Sequence, residues 1–133
     1  MTTSWAGGIA ATTIFVRDLT AAKEFYRTVF ECSPIFEDEA SAAFRFGSSI
    51  VNLLHEPAVP ELIEPAVAAD RSAGARVVLT VEVADVDARV ERLTAAGVQL
   101  LNGPVNRPWG PRTASFADLD GYIWEIGGNP PAN

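Results

Sequence analysis

The chain has 133 residues, 48% of them hydrophobic, and a formal net charge of −7. This length fits one globular domain, residues 1–133, and the acidic charge argues against nucleic acid, whose phosphates attract basic proteins. No apolar run approaches the roughly 18 residues of a membrane helix, and the single cysteine, Cys32, allows no internal disulfide, so we expect a cytoplasmic protein.

The first half predicts the order β-α-β-β-β. Residues 9–16 alternate and are rich in β-branched side chains, which is typical of a strand. Asp18 or Thr20 suits the cap of a helix whose apolar side chains recur at helical spacing as far as Val29. The other predicted strands are residues 35–37, 42–46 and 49–54, the last two joined by a tight turn at Gly47-Ser48.

Residues 57–75 hold several prolines and read as a linker with a short helix. The second half then repeats the first. It predicts a strand at 77–83, a helix from Asp85 or Asp87 to Gly97, a strand at 98–101, a loop at 102–110, and a hairpin of 112–117 with 122–126 around residues 118–121.

The two halves are related by a fixed offset. Asp85 follows Val83-Ala84 as Asp18 follows Val16-Arg17, 67 positions earlier. Two β-α-β-β-β modules, 8–56 and 76–127, are therefore predicted. One module leaves a sheet face uncovered, and two can share a core. The predicted fold class is α+β, with helices on the outer face of a mixed sheet that curls into a cup.

At this point the motifs resemble a known family. Val16-Arg17-Asp18-Leu19 and Val83-Ala84-Asp85-Val86, with the closing segments 107–110, 116–121 and 123–126, are similar to the vicinal oxygen chelate superfamily. It includes glyoxalase I, extradiol dioxygenases and bleomycin-resistance proteins. Leu119 stands where that family usually has proline.

The resemblance implies paired β-α-β-β-β modules, a homodimer and, in the enzymes, a divalent metal in the cup. Its metal positions correspond to Ala11 and Val78 in the first strands, and to Asn52 and Glu125 in the last strands. Ala11 and Val78 offer no donor atom, whereas tight sites need three or four ligands.

His55, the only histidine, follows the strand of Asn52, and alternation points it away from that face. We therefore expect no metal ligands and no cofactor. A weak Mg²⁺ site at Glu125 completed by water stays open.

The predicted ligand site is apolar with a few polar groups, which suits a small organic molecule. Simple hairpin pairing places Arg112 and Phe116 on the side of Glu125, and Arg45 near Ile50. The predicted ligand-binding residues are Phe15, Asn52, Trp109, Arg112, Phe116 and Glu125.

Two of these residues have competing interpretations. The indole of Trp109 could stack on a ligand, or pack at a dimer interface or the sheet rim. Glu125 could act as a general base, or form a salt bridge with Arg112 or Arg45. Trp124 is predicted to face the helices in the core.

Two functions follow. The first is a metal-free protein that resembles bleomycin-resistance proteins, binds a small organic ligand in the cup and possibly sequesters an antibiotic or metabolite. The alternative is a lyase, isomerase or dioxygenase that uses Glu125 as its catalytic residue or within an unusual metal site. The partners expected are a small organic ligand and a second copy of the chain, with no nucleic acid or membrane.

Overall fold

The computed structural model describes residues 4–132, and these residues form two compact units that divide between Ala69 and Asp70. We call residues 4–69 the first module and residues 70–132 the second module. Each contains the predicted β-α-β-β-β order and a four-stranded mixed sheet, so the α+β fold class is confirmed.

The first module contains four strands and two α-helices. Its elements are β1 (Ala11–Val16), α1 (Leu19–Val29), β2 (Phe36–Glu37), β3 (Ser41–Phe46), β4 (Ser49–His55) and the short α2 (Val59–Ile63), which follows a 3₁₀ turn at Glu56–Ala58. The strand order is β1-β4-β3-β2, and only β1 and β4 are parallel. The α2 helix confirms the short helix predicted in the linker.

The second module repeats this plan. Its elements are a 3₁₀ turn at Arg71–Ala73, β5 (Val78–Glu82), α3 (Val86–Ala95), β6 (Leu100–Asn106), β7 (Arg112–Ala117) and β8 (Ile123–Gly128). The strand order is β5-β8-β7-β6, again with one parallel pair, β5 and β8.

The two long helices begin in the same way. The carboxylate of Asp18 accepts a hydrogen bond from the Ala21 amide at 3.0 Å, and that of Asp85 accepts one from the Ala88 amide at 3.0 Å. In both helices, the aspartate cap satisfies an amide of the first turn that has no partner within the helix. The 67-residue offset seen in the sequence therefore reflects equivalent structure.

Each helix packs on one face of its own sheet. In the first module Tyr26 of α1 lies 5.9 Å from Phe44 of β3 between ring centroids, and both are buried. In the second module Leu93 of α3 and Trp124 of β8 are buried, which confirms the core position predicted for Trp124.

One predicted element differs from the structure. Residues 98–101 were expected as a short strand followed by a loop, but β6 continues to Asn106. Two register shifts interrupt its pairing with β7, one between Leu100 and Asn102 and one between Asn102 and Val105. Such bulges break the alternation that sequence patterns reveal. No helix among residues 4–132 is long and apolar enough to cross a membrane.

Candidate functional site

Each sheet has a second face, opposite its helix, which we call the helix-distal face. In the first module β1 and β4 pair so that Thr13 lies opposite Asn52 and Phe15 opposite Leu54. Arg45 lies opposite Ile50, as predicted. The predicted site residues Phe15 and Asn52 therefore share one face, and both are half-buried.

The helix-distal face of the second module carries a row of polar side chains across all four strands. Thr80 lies opposite Glu125, Glu125 opposite Ser115, and Ser115 opposite Asn102. The Thr80 hydroxyl donates a hydrogen bond of 2.9 Å to Oε1 of Glu125. The carboxylate is half-buried, and within its module this is its one hydrogen-bond partner among the described residues.

The predicted placement of Arg112 and Phe116 is wrong. Ser115 lies opposite Glu125, so Arg112 and Phe116 project from the other face of the sheet, toward α3. Phe116 is fully buried there.

A longer turn explains this error. The Asp118 carboxylate accepts hydrogen bonds from the amides of Asp120 and Tyr122, each at 2.9 Å, and the Asp118 amide donates to the Tyr122 carbonyl. The turn therefore extends through Tyr122, one residue further than expected. A shift of one residue moves every side chain of a strand to the opposite face.

Arg112 has an acidic partner on the helix side. Its Nη2 lies 2.8 Å from Oδ1 of Asp87 in α3, and its Nη1 donates to Asn106 at 3.0 Å. The hydrogen bonds and charge of Asp87 raise the pKa of the Arg112 guanidinium. Of the two salt bridges considered for Glu125, the one with Arg112 is therefore wrong.

A different arginine lies at the helix-distal face. Arg107 donates from Nε to the Thr113 hydroxyl at 2.8 Å and from Nη2 to Oδ1 of Asn102 at 2.7 Å. Thr113 is opposite Gly127 on the face of Glu125, and its side chain is buried. Arg107 is not among the predicted site residues, because the bulges of β6 that bring it over the sheet leave no signal in the sequence pattern.

Trp109 lies at the tip of the β6–β7 hairpin. Its ring centroid is 5.8 Å from the guanidinium carbon of Arg107, and the residue is 71% exposed. The hairpin tip is closed by hydrogen bonds from the Arg107 amide to the Pro111 carbonyl and from the Gly110 amide to the Arg107 carbonyl. The indole therefore forms a cation–π contact and keeps most of its surface accessible.

The single histidine and the single cysteine lie elsewhere. His55 is the last residue of β4, and its Nε2 is 3.1 Å from the Arg17 carbonyl oxygen. Burial raises the pKa of the Cys32 thiol, which lowers its reactive thiolate fraction at neutral pH. Neither residue belongs to the polar row of the second module.

The chain belongs to the glyoxalase/bleomycin resistance protein/dioxygenase superfamily, whose family model matches residues 8–126. This confirms the resemblance drawn from the sequence motifs. No curated protein matches the chain.

Several solved structures are similar over almost the whole chain. A glyoxalase-related enzyme from Fulvimarina pelagi is 28% identical, with a TM-score of 0.80, covering 96% of this chain and 94% of that one. A glyoxalase/bleomycin resistance protein/dioxygenase from Nocardioides is 27% identical, with a TM-score of 0.83 and coverage of 98% and 89%. Lactoylglutathione lyase from Agrobacterium tumefaciens, 20% identical with a TM-score of 0.75 and coverage of 94% and 96%, shares the fold.

The residues at the four implied metal positions do not fit a divalent metal. The strand registers place Thr13 opposite Asn52 and Thr80 opposite Glu125, and Thr80 follows Thr13 by the repeat offset of 67. Asn52 and Glu125 are therefore structurally equivalent, as the sequence count assumed.

The same registers place the first-strand positions, Ala11 and Val78, opposite Ile50 and Ile123. At its two implied metal positions, each module thus has one oxygen-bearing side chain and one aliphatic side chain. Residues 4–132 also hold no cluster of three or more His, Cys, Asp or Glu side chains suited to a metal ion.

Proposed function

We propose that this protein binds a small organic ligand without a protein-bound metal, in the manner suggested by its resemblance to bleomycin-resistance proteins. The observation that carries this proposal is the environment of Glu125. Its carboxylate lies on the helix-distal face, accepts one neutral hydrogen bond from Thr80, and has no cationic partner within its module among the described residues. A ligand that donates hydrogen bonds or carries positive charge would satisfy it.

Trp109 further supports a ligand site in the second module. Trp109 offers an exposed aromatic surface near the same face, and such surfaces bind flat molecules by stacking. Phe15 and Asn52 are proposed ligand contacts on the helix-distal face of the first module. Arg112 and Phe116 are no longer proposed as contacts, because they face α3.

An enzymatic function is the second candidate, and one observation favours it. Arg112 pairs with Asp87, so one of the two salt bridges considered for Glu125, the one with Arg112, is not formed. A carboxylate held by a single hydroxyl could accept a proton from a bound ligand as a general base. This would support a metal-free isomerase or lyase.

Metal content and ligand-induced stabilisation test the proposal. Purified protein is analysed for bound metals, and its Tm is measured with Co²⁺, Ni²⁺, Mn²⁺ or Zn²⁺ and with aromatic, cationic and acidic metabolites and antibiotics. We expect organic compounds, and not the metals, to raise Tm by binding the folded state. Stoichiometric metal, or stabilisation by metals alone, would contradict the proposal.

Two matched variants then separate binding from catalysis. Glu125→Gln keeps an acceptor for Thr80 and removes the charge, whereas Glu91→Gln removes an exposed charge from α3. A binder should lose affinity for its ligand only in Glu125→Gln. An enzyme should instead retain binding and lose turnover in that variant.

The family resemblance and the single cysteine support two subsidiary proposals, a homodimer and a cytoplasmic location. Sedimentation equilibrium of the full chain tests the first. A monomer at micromolar concentration would contradict it.

A further inference from the structure

The Arg107 guanidinium is held in place by two neutral oxygens. Its Nε and Nη2 contact the Thr113 hydroxyl and the Asn102 side-chain carbonyl at 2.8 and 2.7 Å. These contacts use one edge of the planar group. The other edge, formed by Nη1 and the second hydrogen of Nη2, keeps the paired N–H groups that match a carboxylate.

The charge of Arg107 is not neutralised within its module. Neither contact supplies an acidic group, and no carboxylate of residues 70–132 lies within ion-pairing distance of it among the described contacts. Arg112, one strand away, illustrates the alternative, since it is paired with Asp87. A rigidly held guanidinium without a counter-charge is the arrangement that binds anions.

Thr113, the residue that anchors Arg107, and Glu125 lie on the same face, one diagonal step apart. Glu125 is opposite Ser115, and Thr113, which anchors Arg107, is two residues along β7. Diagonal neighbours on adjacent strands are separated by about 7–8 Å. Because Arg107 is held at Thr113, we expect a molecule of amino-acid size to reach both its guanidinium and the Glu125 carboxylate.

We propose that the helix-distal face of the second module binds a small zwitterion, whose carboxylate pairs with Arg107 and whose ammonium group pairs with Glu125. This inference rests on the proposed ligand-binding function and names its substrate class. A ligand with one charge would leave the other protein charge without a partner, and a half-buried charge is more stable when it is paired. The indole of Trp109, beside Arg107, favours an amino-acid-like ligand with a flat side chain.

Three probes that share a phenyl ring test the charge requirement. L-phenylalanine carries both charges, phenethylamine the positive one and 3-phenylpropionate the negative one. Calorimetric titration of the full chain should show that phenylalanine binds at least roughly tenfold more tightly than either single-charge probe. Equal affinities for all three, or tightest binding of a single-charge probe, would overturn the inference.

Variants assign each charge to a residue. Arg107→Gln should weaken the binding of phenylalanine and 3-phenylpropionate and leave that of phenethylamine unchanged. Glu125→Gln should weaken the binding of phenylalanine and phenethylamine and leave that of 3-phenylpropionate unchanged. The exposed residues Arg76 and Glu91 provide the matched controls Arg76→Gln and Glu91→Gln, which should change none of the affinities.

Arg107→Lys distinguishes an anion site from a structural brace of the hairpin. The lysine keeps the charge but cannot reproduce the planar pair of hydrogen bonds, so it should restore part of the carboxylate affinity. If Arg107→Gln and Arg107→Lys weaken all three probes equally, with a matching fall in Tm, Arg107 is only a brace and the inference is wrong.

Failure of the inference and failure of the proposed function are distinguishable. If none of the three probes binds but the metabolite screen yields another organic ligand, the zwitterion inference alone is overturned. If stoichiometric metal is found or the screen yields no organic ligand, the proposed function falls as well.

Discussion

The two modules have the same fold but different helix-distal faces. Thr13 and Asn52 of the first module correspond to Thr80 and Glu125 of the second, so an amide in one module is a carboxylate in the other. Next to these residues, Ala43 of the first module corresponds to Ser115. The comparison shows that the two modules share a backbone plan, whereas the side chain at one equivalent position is neutral in the first module and acidic in the second.

The edge strands differ even more. β2 has two residues, whereas β6 has seven and contains two register shifts. The longer strand contains Asn102 and leads directly to Arg107. The Arg107 guanidinium donates a hydrogen bond to the Asn102 side chain over the second sheet. The side chains that hold the proposed charged site together therefore lie where the second module departs from the first.

Substitutions in the two cores should have the largest effects and should be alike. Phe44 and Phe116 occupy equivalent positions, each opposite a core residue of the neighbouring strand, and both are fully buried. Phe44→Ala and Phe116→Ala should each reduce the free energy of unfolding by about 3–5 kcal/mol. Urea denaturation measures both.

Phe116→Ala also tests whether the Phe116 ring faces α3 and not the ligand site. Ligand affinity of the folded fraction should be unchanged in Phe116→Ala, because the ring faces α3. A variant with normal stability and abolished ligand binding would return Phe116 to the ligand site.

Glycine substitutions test the bulged edge strand. Gly103 and Gly97 have almost identical φ angles of +88° and +89°, but a Cβ on Gly103 would lie 2.4 Å from the Thr113 carbonyl oxygen, whereas Gly97 has open space. Gly97→Ala should cost about 1–2 kcal/mol of backbone strain. Gly103→Ala should cost clearly more, because β6 must also move away from β7.

Thermal unfolding of the two alanine variants checks this difference. Equal losses would show that the close approach of β6 to β7 at Gly103 does not constrain the strand.

The turn that sets the register of the second sheet should have an intermediate effect. Asp118→Ala removes the acceptor for two amides, and hydrogen bonds to charged groups contribute about 1.5–3 kcal/mol each. We expect a loss of about 1–3 kcal/mol, since water can reach part of the turn. Asp118→Asn, which keeps an acceptor, should lose less of the free energy of unfolding. An unchanged free energy of unfolding in Asp118→Ala would show that these hydrogen bonds do not determine the register.

The smallest expected effect on stability comes from the turn at residues 38–41 of the first module. The Asp38 carboxylate accepts hydrogen bonds from the amides of Ala40 and Ser41 and from the Ser41 hydroxyl. These hydrogen bonds hold the pKa of Asp38 below its ordinary value of 3.8. A lowered pKa contributes stability above pH 3.8 that is lost as the pH falls through the folded-state value.

Comparing wild type with Asp38→Ala from pH 7 to pH 2 measures this contribution. The stability difference between them should be small at neutral pH and should shrink further under acidic conditions. A difference that grows as the pH falls would contradict the assignment.

The sequence predicted the fold of both modules because its signals are local. Alternation marked the strands, and Asp18 and Asp85 marked the helix starts. The placement of Arg45 opposite Ile50 was also correct, because Gly47 and Ser48 form the two-residue turn that simple pairing assumes.

The charged part of the candidate site was less predictable. One extra residue in the turn at Asp118 reversed the faces of β7, and therefore exchanged Arg112 and Phe116 for Thr113 and Ser115. Arg107 reaches the site through bulges, and it is held by Asn102 and Thr113 through hydrogen bonds that depend on exact register. Neither feature follows from hydrophobic periodicity.

The most direct test of the account is to map the ligand by NMR. Amide shifts of the ¹⁵N-labelled full chain are followed during titration with L-phenylalanine. We expect the largest changes around Thr80, Ser115 and Glu125, together with the Nε–H signal of Arg107. Changes centred on Thr13 and Asn52, with the second module unaffected, would contradict it.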